Sequence, residues 1–145
     1  MEIELISSLS LTDRVFHILC AADDAFAQHC GVMMTSLFSN RKDETYIVHI
    51  LEHSLSETNQ KNLKDIGDKF GQEIIFHHVD NQFAEELKVQ SGCSVSDAAY
   101  YRLYVCSLLT QESIERILYI DCDVVINCNI SPLFEVDMGG YMWLP

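Results

Sequence analysis

Short apolar runs alternate along the chain with longer segments whose apolar residues recur every three to four positions. Val15–Ala21, Tyr46–Leu51, Glu73–Val79 and Ile117–Ile120 are rich in β-branched, aromatic and Leu residues and are bounded by polar residues. That pattern predicts four strands, the first of them buried. Val124–Ile126 reads as a further short strand on the same grounds. Between the first two runs, Val32, Met33 and Leu37 recur at helical spacing, predicting a helix over Gln28–Phe38 that closes in the polar stretch Ser39–Asp43. Ser56-Glu57-Thr58 opens a second helix, with Leu63, Ile66 and Phe70 on one face and Gly71 as its C-terminal stop. Further on, Gln82–Val89 predicts a short helix or turn, and Gln90–Ser96 a mobile loop. Tyr101, Tyr104, Val105 and Leu108 place a helix over Asp97–Leu109, and Ile130–Phe134 leads into a turn.

Strands separated by helical runs indicate βαβ units, a mainly parallel sheet and helices on both of its faces. No repeat, linker or low-complexity stretch divides the chain, so residues 1–145 are expected to form one domain around one core. The run Gly139–Pro145 resembles the start of another strand, which predicts a fold that stops part-way. Apolar surface left open by such a stop predicts self-association.

Charge narrows the partners. The 22 acidic residues outnumber the 9 basic ones, for a net charge of -13, which argues against nucleic acid and against anionic membranes. The first residues lack the basic and apolar regions of a secretory signal, and no apolar run reaches membrane-spanning length, so a cytoplasmic protein is expected. Six cysteines without a Cys-x-x-Cys pair read as reduced, mostly buried thiols.

Two places carry candidate chemistry. Asp121 and Asp123 stand immediately beyond the Ile117–Ile120 run. In open α/β sheets ligands bind beyond the carboxyl ends of strands, and paired carboxylates suit a hard divalent ion that bridges to a diphosphate. An acidic chain that binds a diphosphate needs such an ion to offset its own field. At the end of the first strand stand Ala21-Ala22-Asp23-Asp24-Ala25-Phe26. A carboxylate there can accept a uracil N–H and an aromatic ring can cover the base, or either aspartate can simply cap the following helix.

Taken together, Ala21-Ala22-Asp23-Asp24, the segment Ser96-Asp97-Ala98-Ala99-Tyr100-Tyr101-Arg102-Leu103, and Ile117–Asp123 with downstream Ser131-Pro132-Leu133-Phe134 resemble family 8 glycosyltransferases. That family includes bacterial lipopolysaccharide galactosyl- and glucosyltransferases and glycogenin. The resemblance implies a GT-A fold, Rossmann-like with a mainly parallel sheet, here cut short on its C-terminal side. It implies transfer of a hexose from a UDP-sugar such as UDP-glucose or UDP-galactose to a carbohydrate or lipopolysaccharide acceptor, with retention at the anomeric carbon. It also implies Mn²⁺, with Mg²⁺ as the alternative, held by Asp121 and Asp123. Ala21, Ala22, Asp23, Asp24 and Phe26 would hold the uridine, and Arg102 would act beside the Asp121-Cys122-Asp123 turn on the sugar-phosphate. Cys122 belongs to that donor-binding turn but is itself read as a packing residue.

The sequence departs from the family in two respects. The family often has Asn-Tyr after Asp-Asp, where this chain has Ala25 and Phe26. Family members run to about twice this length, and the His-x-x-Gly-x-x-Lys-type motif of their later part does not occur here. The same residues also admit a non-catalytic α/β interaction module. A nucleotidyltransferase is disfavoured, because no Gly-rich basic loop follows the first strand.

Overall fold

The computed structural model describes residues 14–79 and 114–139. The expectations for 82–89, 90–96, 97–109 with Arg102, and most of 139–145 lie outside the described residues. In chain order the elements are β1 (Val15–Ala21), α1 (Ala27–Ser39), β2 (Thr45–Glu52), α2 (Glu57–Phe70), β3 (Glu73–His78), β4 (Ile117–Tyr119) and a 3₁₀ helix (Ser131–Glu135). The strands form one sheet in the order β3-β2-β1-β4, and every pairing is parallel.

Register follows from burial. Pairing Ile18 with Val48, and Cys20 with Ile50, lines up the even-numbered residues of β1 and β2 on one face. That face packs on Cys30, Met33, Met34, Leu37 and Phe38 of α1 and on Leu63 of α2 in a single core. Their complete or near-complete burial makes this core the main favourable term for the fold. Both described helices therefore lie on the same face; the helix expected over 97–109 lies outside the described residues. The opposite face carries Leu19 and Leu51, both fully buried, and a line of histidines. His17 Nδ1 and His49 Nε2 share a hydrogen bond of 2.9 Å, and His49 Nδ1 and His77 Nε2 one of 2.8 Å. The three rings stack across β1, β2 and β3.

Local chemistry sets the helix ends. Ser56 Oγ accepts the Asn59 N–H at the start of α2. Gly71 closes α2 in the left-handed region at φ 64°, as its position after Phe70 predicted. Gly67 has a packing role, since a Cβ there would sit 2.6 Å from Ile74 Cγ1 and 2.8 Å from the Gln72 carbonyl oxygen. The predicted strand at Val124–Ile126 does not form. Val125 is 69% exposed, and the backbone groups of Ile126 are taken by side chains of α1 instead of a neighbouring strand. The 3₁₀ helix is tied back to the sheet by Arg116, which donates to the carbonyls of Phe134 and Val136, and by Phe134 stacked on Phe16 with ring centroids 4.3 Å apart. Among the described residues no helix is long and apolar enough to cross a membrane.

Candidate functional site

The strand order reverses at β1. The chain moves outward from β1 through β2 to β3, then returns to place β4 on the other side of β1. At such a switch point the loops leaving two adjacent parallel strands diverge and leave a crevice beyond their carboxyl ends. The two loops here are Ala22–Phe26, after β1, and Ile120–Asp123, after β4. Leu19 pairs with Tyr119, and the Ile120 N–H continues the ladder to the Leu19 carbonyl at 2.9 Å. The structure thus brings the two sequence-predicted segments to one rim of the sheet, although about a hundred residues separate them.

The turn after β4 presents alternating side chains. Asp121 and Asp123 are exposed, whereas Cys122 between them is buried at 9% exposure. Its thiol joins the core that holds Cys20 and Cys30, whose sulfurs lie 3.8 Å apart. Burial, with the Cys30 thiol and then the Asp123 carboxylate nearby, pushes the Cys122 thiol up to about 12, so it stays protonated and packs as a small hydrophobe. Cys20, Cys30 and Cys122 are free, buried thiols, and Cys128 is free and exposed.

The loop after β1 is built differently from what its two aspartates suggest as a pair. Asp23 Oδ1 accepts the Phe26 N–H at 3.0 Å, closing the turn that leads into α1. Asp24 Oδ1 accepts both the Ser56 N–H at 2.7 Å and the Asn59 side-chain amide at 2.9 Å, tying this loop to the start of α2. The Ser56 backbone hydrogen bond, then the Asn59 amide, hold the Asp24 carboxyl below its usual range. Ala21 and Ala22 are buried at 3% exposure each. Phe26 is 44% exposed, with its ring 5.4 Å from that of His29. The half-exposed Phe26 ring is an aromatic face open to a flat partner.

Among the described residues no group of three or more His, Cys, Asp or Glu is arranged to hold a metal ion. Asp121 and Asp123 nonetheless suit a hard divalent cation: both are exposed oxygen donors on a turn whose middle residue is locked into the core. Ions of that class keep several waters and take one or two carboxylates together with substrate phosphates.

Sequence reasoning overlooked a polar cluster behind this turn. Ser36 of α1 and Asn40, which caps the end of that helix, bond the backbone of Ile126. Asn129 Nδ2 donates to Glu44 Oε1 at 2.9 Å, and the Ser131 N–H donates to Asn129 Oδ1 at 3.0 Å. Burial works to raise the Glu44 pKa, but hydrogen bonds from the Lys42 N–H, the Asn129 amide and Ser131 outweigh it and hold the carboxyl at about 2. The Asn129–Ser131 turn is local, closed by the Asn129 side chain; its partners Asn40 and Glu44 lie far away along the chain.

Three comparisons with known proteins bear on this geometry. General stress protein A of Bacillus subtilis strain 168 is 35% identical over 130 residues, covering 89% of this chain and 45% of that protein. Glycosyltransferase GlyF of Streptococcus pneumoniae serotype 4 is 27% identical over 128 residues, covering 86% of this chain and 29% of that protein. The chain therefore spans less than half the length of the curated relatives it matches. The crystal structure of galactosyltransferase LgtC in complex with donor and acceptor sugar analogs superimposes with a TM-score of 0.70 at 25% identity, covering 84% of this chain and 43% of that one. The fold is that of the GT-A glycosyltransferases. With the glycosyl transferase family 8 profile also matching residues 17–144, the chain belongs to that family.

Proposed function

We propose that this chain forms the donor-binding part of a retaining hexosyltransferase, which moves a hexose from a UDP-sugar to a hydroxyl of a carbohydrate or lipopolysaccharide acceptor. The observation that carries the reading is the β1–β4 pairing, which sets the Ala21–Phe26 loop and the Asp121–Asp123 turn side by side at the switch point of the sheet. The solved relative LgtC was crystallised with donor and acceptor sugar analogs, in line with a sugar-transfer reading for the fold.

In this reading Asp121 and Asp123 hold a divalent cation, Mn²⁺ or Mg²⁺. When bound, that ion supplies positive charge for the diphosphate of the donor and for the departing UDP. Ala21 and Ala22, small and buried, let the backbone approach the nucleoside closely, and Phe26 offers its exposed ring to the base. The free oxygen of Asp23 or Asp24 accepts from the uracil or ribose, while the hydrogen bonds that each aspartate makes within the protein fix its direction. Cys122 keeps the two metal carboxylates pointing outward by burying its own side chain. Arg102, carried over from its place in the Ser96–Leu103 motif, pairs with the sugar-phosphate. The family match does not favour the alternative of a non-catalytic module.

The test is calorimetric titration of UDP into the chain with and without Mn²⁺, beside the double variant Asp121→Ala/Asp123→Ala. Binding that depends on Mn²⁺ and is lost in the variant is the expected result. Absence of UDP binding under both conditions would overturn the reading.

A further inference from the structure

The sheet ladder ends one residue before the Asp121–Asp123 turn, and between there and the 3₁₀ helix the chain runs through Ile126, which is only 9% exposed. A buried segment outside a sheet must satisfy its backbone polar groups elsewhere. At Ile126 both are satisfied by α1. Its N–H donates to Ser36 Oγ at 2.9 Å, and its carbonyl accepts from Asn40 Nδ2 at 2.9 Å. Neither side chain is free to turn away from this task. The Ser36 hydroxyl donates to the Met33 carbonyl at 2.7 Å, so its proton is committed and its lone pair faces Ile126. Asn40 Nδ2 also donates to the Ser36 carbonyl at 2.9 Å, which uses both amide hydrogens and settles which end of the amide faces Ile126.

The turn is consequently held at three points. Upstream, the Ile120 N–H is bonded to Leu19. In the middle, Cys122 is buried. Downstream, Ile126 is gripped by α1. The intervening Val124 and Val125 are 36% and 69% exposed and provide little packing of their own. The downstream grip therefore limits how far Asp123 can swing relative to Asp121. Two carboxylates that share one cation must keep their separation and direction closely, and residues that only orient ligands have large effects on affinity for that reason.

We propose that Ser36 and Asn40 are positioning residues for the metal-binding turn: they touch neither donor nor cation, and through the backbone of Ile126 they set the geometry of Asp121 and Asp123. The inference rests on the reading of those two aspartates as the metal pair.

The test uses Ser36→Ala (S36A) and Asn40→Ala (N40A). Thr35→Ala (T35A) is the control, since the Thr35 hydroxyl donates to the Gly31 carbonyl within α1. Mn²⁺ affinity is read from the electron paramagnetic resonance signal of free Mn²⁺ in the presence of excess UDP. It falls about tenfold in S36A and in N40A and is unchanged in T35A. Far-ultraviolet circular dichroism at the assay temperature is the same in all four proteins, whereas a general loss of structure would change it as well. Wild-type Mn²⁺ affinity in both S36A and N40A would overturn the proposal, as would a fall in Mn²⁺ affinity that comes with loss of the circular dichroism signal. Hydrogen exchange at the Ile126 amide separates this from a failure of the donor-site reading. If the wild type itself binds no Mn²⁺ with UDP, that reading falls and takes the metal role with it. Exchange at Ile126 that is no faster in S36A overturns the grip itself.

Discussion

His49 makes the fold acid-labile in a pH range where carboxylates contribute little. The ring is 1% exposed and lies between His17 and His77. Burial, then the neighbouring His77 and His17, lowers its pKa from 6.5 to about 4. In the unfolded chain the same imidazole titrates near its ordinary value. Between those two pH values the unfolded state binds a proton that the folded state refuses, so acidification favours unfolding. The stabilisation due to neutral His49 is complete above pH 6.5, falls as pH drops towards 4, and is exhausted below that. Each unit of pKa difference corresponds to ~1.4 kcal/mol, which gives about 3 kcal/mol over the whole interval and about 2–3 kcal/mol by pH 4.5. For a domain whose total stability is of the order of 5–15 kcal/mol, that is a substantial share. Urea unfolding followed by circular dichroism at pH 7.0, 6.0, 5.0 and 4.5 reads it directly: the midpoint should fall by about 1 M or more across the series. His49→Gln keeps a donor and an acceptor but removes the titration, so its midpoint should move much less over the same range, whatever its stability at pH 7. Equal loss in wild type and H49Q would refute the reasoning.

Glu44, held at about 2 by its hydrogen bonds against the usual 4.5, contributes stability that is present above pH 4.5 and lost as pH falls towards 2. Glu44→Gln should flatten the stability profile in that lower range by up to about 3 kcal/mol and leave the range above pH 5 unaltered, as measured by thermal unfolding in acid. Gly67→Ala should destabilise by about 1–3 kcal/mol, because the new Cβ meets a backbone carbonyl that cannot move aside cheaply; a urea midpoint equal to wild type would contradict this. Gly31→Ala should be close to neutral by the same assay, since its Cβ would meet only the ends of two side chains, Ile66 at 3.1 Å and Leu63 at 3.7 Å, and the helix gains propensity. Among the described cysteines, a maleimide should label Cys128 in the native protein, and Cys20, Cys30 and Cys122 only after unfolding, as read by mass spectrometry of the peptides.

Much of this was open to reading along the chain. The apolar runs of β1 and β2 declare themselves because buried parallel strands are apolar on both faces, and those of the half-buried β3 and β4 through their β-branched and aromatic residues. Ser56 and Gly71 mark the ends of α2 because a hydroxyl and a left-handed residue are what those positions require. The carboxylate pair after an apolar run and the aspartates after β1 were visible for the same local reason. Val124–Ile126 shows where local reading fails: β-branched residues favour a strand, but a strand needs a partner, and here Ser36 of α1 and its C-cap Asn40 occupy the backbone of Ile126. Asp23 and Asp24 look equivalent in sequence, yet one closes its own turn and the other reaches across to α2. The histidines of β1, β2 and β3 lie far apart in sequence and meet only through the strand register. Periodicity along a chain encodes which side chains leave water, because burial is set by neighbours three or four positions away on a helix and two on a strand. Strand order, register and the partner of each buried polar group depend on contacts between distant segments. Only the folded sheet, by setting β4 beside β1, decides that Asp121 and Asp123 share a rim with Ala21–Phe26.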